Sequence, residues 1–170
     1  MKKMIIASTS TVFGSGYLDY LLPVLQVHFK NVNTVTFIPY AMPGGISYDA
    51  YTGIVAQAFS KININVKGIH EYENPKDAIL NAEAIFTGGG NTFELVNQLY
   101  KHDLLNNLKL TLERGVPYLG TSAGSNICGV DIKNTNDMPI VYPPSFKTLG
   151  CFSFNINAHY LDPEKGSKHM

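Results

Sequence analysis

Charge is scarce in this chain. Only 15% of its residues are charged, Lys+Arg and Asp+Glu balance at 13 each, and the formal net charge is zero. Globular domains are about a quarter charged, so much of this one is expected to lie in its interior. Arginine is nearly missing, with Arg114 the sole instance. There is no basic stripe to neutralise phosphates, which argues against a nucleic-acid partner. Cysteine is sparse too. Cys128 and Cys151 have neither metal-ligand spacing nor a disulfide framework, so reduced thiols in a cytoplasmic protein, with no metal, are expected. Long apolar runs are absent as well. After Lys2-Lys3 the run is only Met4-Ile5-Ile6-Ala7, too short for a secretory core or a membrane span, and it fits a first β-strand. Internal repeats, low-complexity stretches and linkers are also lacking, and a 170-residue chain that is 45% hydrophobic is large enough for one domain with a substantial core.

What the chain does have is alternation. Met4–Ala7 predicts a strand, and 17–30 a helix whose apolar side is Leu21, Leu22, Leu25 and Val27. Residues 34–40 are β-branched and aromatic, hence a second strand. Pro43-Gly44-Gly45 breaks the chain before a helix at 47–60, and 62–69 alternates as a third strand. Asn74-Pro75 supplies an N-cap and a first helical position for a helix reaching about Ala82. Ala84–Thr87 predicts a buried strand, 92–100 and 104–113 helices, the second closed by Gly115, and 116–121 another strand. Beyond Asn126 the pattern turns polar through 131–142, Pro143-Pro144 marks a loop, and 152–160 alternates as a last strand. Strands interleaved with helices predict an α/β fold, a mostly parallel sheet with helices on both faces. Ligands bind such sheets at the carboxyl ends of the strands.

Two glycine motifs fall at those ends. Gly120-Thr121-Ser122-Ala123-Gly124 lies between a predicted strand and a short segment able to turn helical, which is the setting of a nucleophile elbow. Gly120 and Gly124 remove side chains that would clash in so tight a turn, and Ser122 is left at its tip. The N–H of Ala123, opening the helix, can donate to an oxyanion formed beside Ser122. Read blandly, the same residues make an ordinary Gly-rich turn. Gly88-Gly89-Gly90-Asn91 exposes backbone N–H groups that suit an anion, and equally makes a tight connection with Asn91 as helix N-cap. It is neither a Walker loop nor a G-x-G-x-x-G dinucleotide turn.

A serine nucleophile needs a base and a group to orient it. Of His28, His70, His102, His159 and His169, only His159 closes a predicted strand after the elbow, where active-site residues collect. Asp131, Asp137 and Asp162 are candidates for the third member; Asp137 read blandly is a turn residue capping the backbone. The order Ser122, Asp137, His159 matches α/β-hydrolases, but gaps of 15 and 22 residues are too compressed for that fold.

Four ordered blocks carry a closer likeness. Gly88-Gly89-Gly90-Asn91-Thr92-Phe93, Gly120 to Asn126, Thr135 to Val141 and Asn155-Ile156-Asn157-Ala158-His159 together resemble peptidase E, the aspartyl dipeptidase family. The resemblance covers the chain from its first strand to His159. It implies a flavodoxin-like sheet related to class I glutamine amidotransferases. It also implies a serine peptidase that releases N-terminal aspartate from dipeptides without metal or organic cofactor. Carried over by position, Ser122 is the nucleophile, His159 the base and Asp137 its acidic partner. Gly89, Gly90 and Ala123 match the oxyanion hole, and Asn91 matches a substrate-contacting asparagine. The family continues into a Gly-Glu-Thr-Arg block whose arginine binds the substrate aspartate, whereas this sequence reads Glu164 to Met170 there. The expectation is therefore a single domain over 1–170 lacking the family's C-terminal segment, with little or no activity by itself and with marginal stability or self-association through the surface left bare. The alternatives are an inactive binding protein of the same fold, or a cyanophycinase-like or broader acyl hydrolase.

Overall fold

The computed structural model describes residues 1–42 and 44–160. Five strands, β1 (Met4–Ala7), β2 (Thr34–Ile38), β3 (Asn65–Gly68), β4 (Ala84–Thr87) and β5 (Tyr118–Thr121), form one sheet in the order β1-β5-β4-β2-β3. Every pairing is parallel, with Ile6 beside Gly120 and Phe86 beside Leu119 in the centre. Six helices connect or follow them: α1 (Leu22–His28), α2 (Tyr48–Ser60), α3 (Pro75–Leu80), α4 (Thr92–Lys101), α5 (Leu105–Glu113) and α6 (Ala123–Asn126).

Strands of four or five residues hold only because both faces are covered. Alternate side chains of each strand enter opposite cores. Val35, Phe37, Ala84, Phe86 and Leu119 join Leu25 of α1 and Val55 and Phe59 of α2. Ile38, Ile85 and Tyr118 point the other way, into Ile79 of α3, Leu95 and Leu99 of α4, and Leu108 and Leu112 of α5. Burying each such side chain contributes roughly 1.5–3 kcal/mol, which outweighs the weak propensity of so short a strand.

The expected alternation of elements is present, and the N-caps fall where the sequence puts them. Ser47, Asn74 and Asn91 accept from backbone N–H groups of the first turns of α2, α3 and α4. The second strand ends at Ile38 rather than 40 and the first helix at His28 rather than 30, and three predicted starts are corrected. The first helix starts at Leu22 rather than 17, because Leu18 sits at φ 59° and Pro23 occupies a first-turn position. The third strand starts at Asn65 rather than 62, because Asn63 turns at φ 58° and its N–H bonds back to Ser60. The fifth starts at Tyr118 rather than 116, since Pro117 has no N–H to give the ladder. One expected element is not formed: 152–160 crosses the top of the sheet as bends and turns, without a strand. Pro43, Asp162, His169 and the Glu164–Met170 stretch lie outside the described residues.

Candidate active site

The site lies where β4 and β5 end. Leaving β5, the chain reaches Ser122 at φ 51° and ψ −111° and enters α6 at once. That backbone is strained for a residue with a side chain, and the surroundings enforce it. A Cβ on Gly124 would meet the carbonyl oxygen of Thr87 at 2.1 Å, so α6 packs directly on the end of β4. The Ser122 N–H donates to Ala7 O (3.1 Å), and the Ser125 hydroxyl lies within reach of Ala7 O (2.6 Å) and Gly120 O (2.8 Å). The elbow is thus tied to β1 as well as to β5, and Ser122 stays 9% exposed.

His159 comes to the serine from 37 residues further along the chain. Its Nε2 lies 2.8 Å from Ser122 Oγ. Its own backbone is left-handed (φ 59°), held by donation of its N–H to Ser8 Oγ at 2.7 Å. The preceding N–H, of Ala158, donates to Asn126 Oδ1 (3.2 Å). A hydroxyl in contact with an imidazole, beside the N–H groups opening a helix, is an arrangement able to carry out nucleophilic acyl transfer.

The remaining site candidates fall around this pair. Asp137 Oδ2 accepts from the N–H of Thr92 (2.7 Å) at the start of α4, and among the described residues no hydrogen bond joins Asp137 to His159. Asn91 caps α4 through Oδ1 and donates from Nδ2 to Met138 O (2.7 Å), so it clamps the Asp137 loop onto the helix. Asp131 accepts from the Lys133 N–H and, more weakly, from Asn155, and these bonds, with burial opposing, hold its carboxyl below the usual carboxylate range. In the glycine turn the four N–H groups are in different states. Gly88 donates to Ile38 O, Gly89 to the Tyr51 hydroxyl (3.0 Å) and Asn91 to Ala41 O. Those of Gly90 and Ala123 have no acceptor among the described residues. Arg114 binds Leu80 O and Thr111 Oγ1 at the end of α5, at the amino ends of the strands and away from Ser122.

A cavity of about 330 Å³ opens over the serine, lined by Thr9, Ser10, Tyr17, Tyr51, Ser122 and His159 among others. Tyr17 and Tyr51 carry no motif and were invisible in the sequence. Burial pushes both phenols up, Tyr17 the further, so both stay neutral. Asn126 was equally missed in its role, although it stands inside the elbow block. It is 5% exposed and joins Thr92, Thr135 and Ala158.

Comparison with known proteins identifies the family. The family model of peptidase family S51 matches residues 4–170. A Drosophila melanogaster protein named "Probable alpha-aspartyl dipeptidase" is 46% identical over 99% of this chain and 70% of its own length. The peptidase E of Shewanella amazonensis is 46% identical over 94% of this chain and 68% of its own. The peptidase E of Streptomyces coelicolor is 42% identical over 98% and 67%. Among solved structures, a candidate peptidase E protein from Listeria monocytogenes superposes with a TM-score of 0.74 at 21% identity, covering 91% of this chain and 77% of its own. That likeness bears on the fold alone.

Proposed function

Because the chain belongs to peptidase family S51, we propose that it is a serine dipeptidase hydrolysing small peptides with N-terminal aspartate, with Ser122 as nucleophile and His159 as base. The observation that carries this is the 2.8 Å contact between Ser122 Oγ and His159 Nε2 at the strained elbow. In this reading Ser122 Oγ attacks the scissile carbonyl carbon while its proton passes to His159 Nε2. The oxyanion is met by Ala123 N–H and the glycine turn. Collapse breaks the C–N bond, and the leaving amine takes the proton from His159. Water then attacks the Ser122 ester with His159 again as base, releasing the acid and restoring the serine. No step calls for a metal or an organic cofactor.

Asp137 reaches the histidine only through a relay of three residues. Its carboxylate holds Thr92, whose hydroxyl accepts from Asn126, whose Oδ1 in turn accepts from Ala158 N–H beside His159. Asn91 supports the same corner and faces substrate only through it. A cytoplasmic setting goes with this reading, since Cys128 and Cys151 are both free thiols.

The neutral hydroxyls of Thr9, Ser10 and Tyr17 in the cavity wall favour one second reading, a broader acyl hydrolase. Turnover of Asp-Leu against Ala-Leu and simple esters separates the two. For either, a fluorophosphonate should label the wild-type chain once, at Ser122. Ser122→Ala should lose the label and several orders of magnitude in turnover; wild-type turnover by that variant would refute the assignment. Asp137→Asn should cost less than His159→Ala.

A further inference from the structure

The glycine turn is steered by a side chain that no motif singles out. Tyr51 lies in the second turn of α2, 6% exposed, with its ring set edge-on against Phe37 (4.9 Å between centroids, 88° between planes). Packing thus fixes where its hydroxyl reaches. That hydroxyl accepts from Gly89 N–H (3.0 Å), donates to Gly89 O (3.3 Å) and accepts from the Tyr17 hydroxyl (3.3 Å). One proton given and two lone pairs filled is the whole capacity of a phenol. Burial pushes the hydroxyl up, so the proton that makes the second contact stays in place.

The two bonds to Gly89 act on different peptide units. Donation from Gly89 N–H fixes the Gly88–Gly89 peptide and withdraws that N–H from any ligand. Donation to Gly89 O fixes the Gly89–Gly90 peptide. No described peptide bond is cis, and in a trans peptide the N–H points opposite to the C=O. Holding Gly89 O therefore aims Gly90 N–H away from Tyr51. Gly90 stands at φ 137°, where a Cβ would meet Ala41 O at 2.2 Å. Only glycine fits there, and glycine by itself sets no preference between two orientations of its peptide. Gly90 shares the cavity wall with Ser122 and His159, and its N–H is the one in the turn with no acceptor among the described residues.

We propose that Tyr51 is a positioning residue that locks the Gly89–Gly90 peptide so that Gly90 N–H, together with Ala123 N–H, receives the oxyanion, while Gly89 N–H takes no part. This rests on the serine-hydrolase reading above. Tyr51→Phe keeps the ring and the shape of the cavity and removes the clip, together with the acceptor of the Tyr17 hydroxyl. The rate of Ser122 phosphonylation and kcat for an Asp dipeptide should both fall about 10- to 100-fold, below the loss of a whole oxyanion donor, with KM close to wild type. The phosphonylated wild-type structure should show the phosphonyl oxygen within hydrogen-bond distance of Gly90 N and Ala123 N.

Amide hydrogen exchange tests the lock without any chemistry. Gly89 should be protected in wild type and lose protection in Tyr51→Phe, while Gly90 exchanges freely in both. Failure of wild type to label at Ser122 would refute the hydrolase reading, and exchange would still decide the lock. Wild-type labelling rates in Tyr51→Phe, a phosphonyl oxygen on Gly89 N, or a Gly89 amide that exchanges as fast as Gly90 would each overturn the proposal.

Discussion

Ser122 and Gly124 show how a strained residue is kept strained. The serine's φ of 51° costs about 1–3 kcal/mol and persists because relaxing it would push α6 off β4. Gly124 is the contact through which that pressure is transmitted. An added methyl at 2.1 Å from Thr87 O meets backbone inside the sheet, which cannot rotate away as a side chain can. Gly124→Ala should therefore lower stability by about 1–3 kcal/mol, as overpacking does. It should also slow labelling of Ser122, because the elbow must shift to admit the methyl. Urea unfolding measures the first effect and fluorophosphonate kinetics the second. A variant as stable and as reactive as wild type would mean that the close approach of α6 to β4 is not what shapes the elbow.

At the scale of elements, local chemistry decided what the sequence could disclose. Asn74-Pro75 and Asn91 announced α3 and α4 because capping is a local bargain between a side chain and the next turn. Ala84–Thr87 was legible because a strand buried on both faces is apolar throughout. The elbow was legible because Gly-x-Ser-x-Gly follows a strand. The 152–160 segment misled because its alternation of apolar and polar residues looks like a pleat, yet its asparagines bind distant groups. Asn155 takes the N–H groups of Val130 and Asp131, and Asn157 accepts from Asn136. Tyr51 could not be found at all, since its role depends on a contact 38 residues away along the chain.

The same asparagine network makes a prediction about the His159 segment. Asn126 accepts from Ala158 N–H and donates to Thr92 Oγ1 (3.0 Å) in a buried position. Asn126→Ala takes away the acceptor of the Ala158 N–H and one of the two donors to Thr92 Oγ1, the other being Thr135 Oγ1, a loss of about 1–3 kcal/mol. Its effect on rate should exceed what stability explains, because the backbone carrying His159 loses an anchor at the residue just before it. A second anchor, Ser8 Oγ on His159 N–H, lies beyond the end of β1. Kinetics at a temperature where both proteins are fully folded separate the two contributions. An unchanged kcat there would show that the Asn126 contact is not needed to hold the histidine.

Over the whole molecule, the two ends of the sheet do different work. The carboxyl ends of β1, β4 and β5 gather Ser8, the glycine turn and Ser122, while the amino ends are closed by structural contacts such as Arg114 on α3. His28 belongs to that second end. Its ring, late in α1, is half-buried and bonds Tyr118 O (3.1 Å), packing edge-on against Phe29. Burial, helped by nearby Lys3 and opposed by the Tyr118 carbonyl, holds its pKa below the ordinary 6.5. The unfolded chain, with His28 at its ordinary value, therefore binds more protons than the folded one in the window below about pH 6.5. Stability is full above that pH and is lost as pH falls towards the depressed folded value. The slope is a fraction of the one-proton limit of about 1.4 kcal/mol per pH unit, since the ring is partly solvated. Melting temperature followed from pH 7.5 to 5.5 should drop in wild type and drop less in His28→Gln, which keeps a donor for Tyr118 O and cannot charge. Because His28 lies at the amino end of β5, the same variant should leave the rate of Ser122 labelling at neutral pH near that of wild type. Identical pH slopes for the two proteins would assign the acid sensitivity to another group.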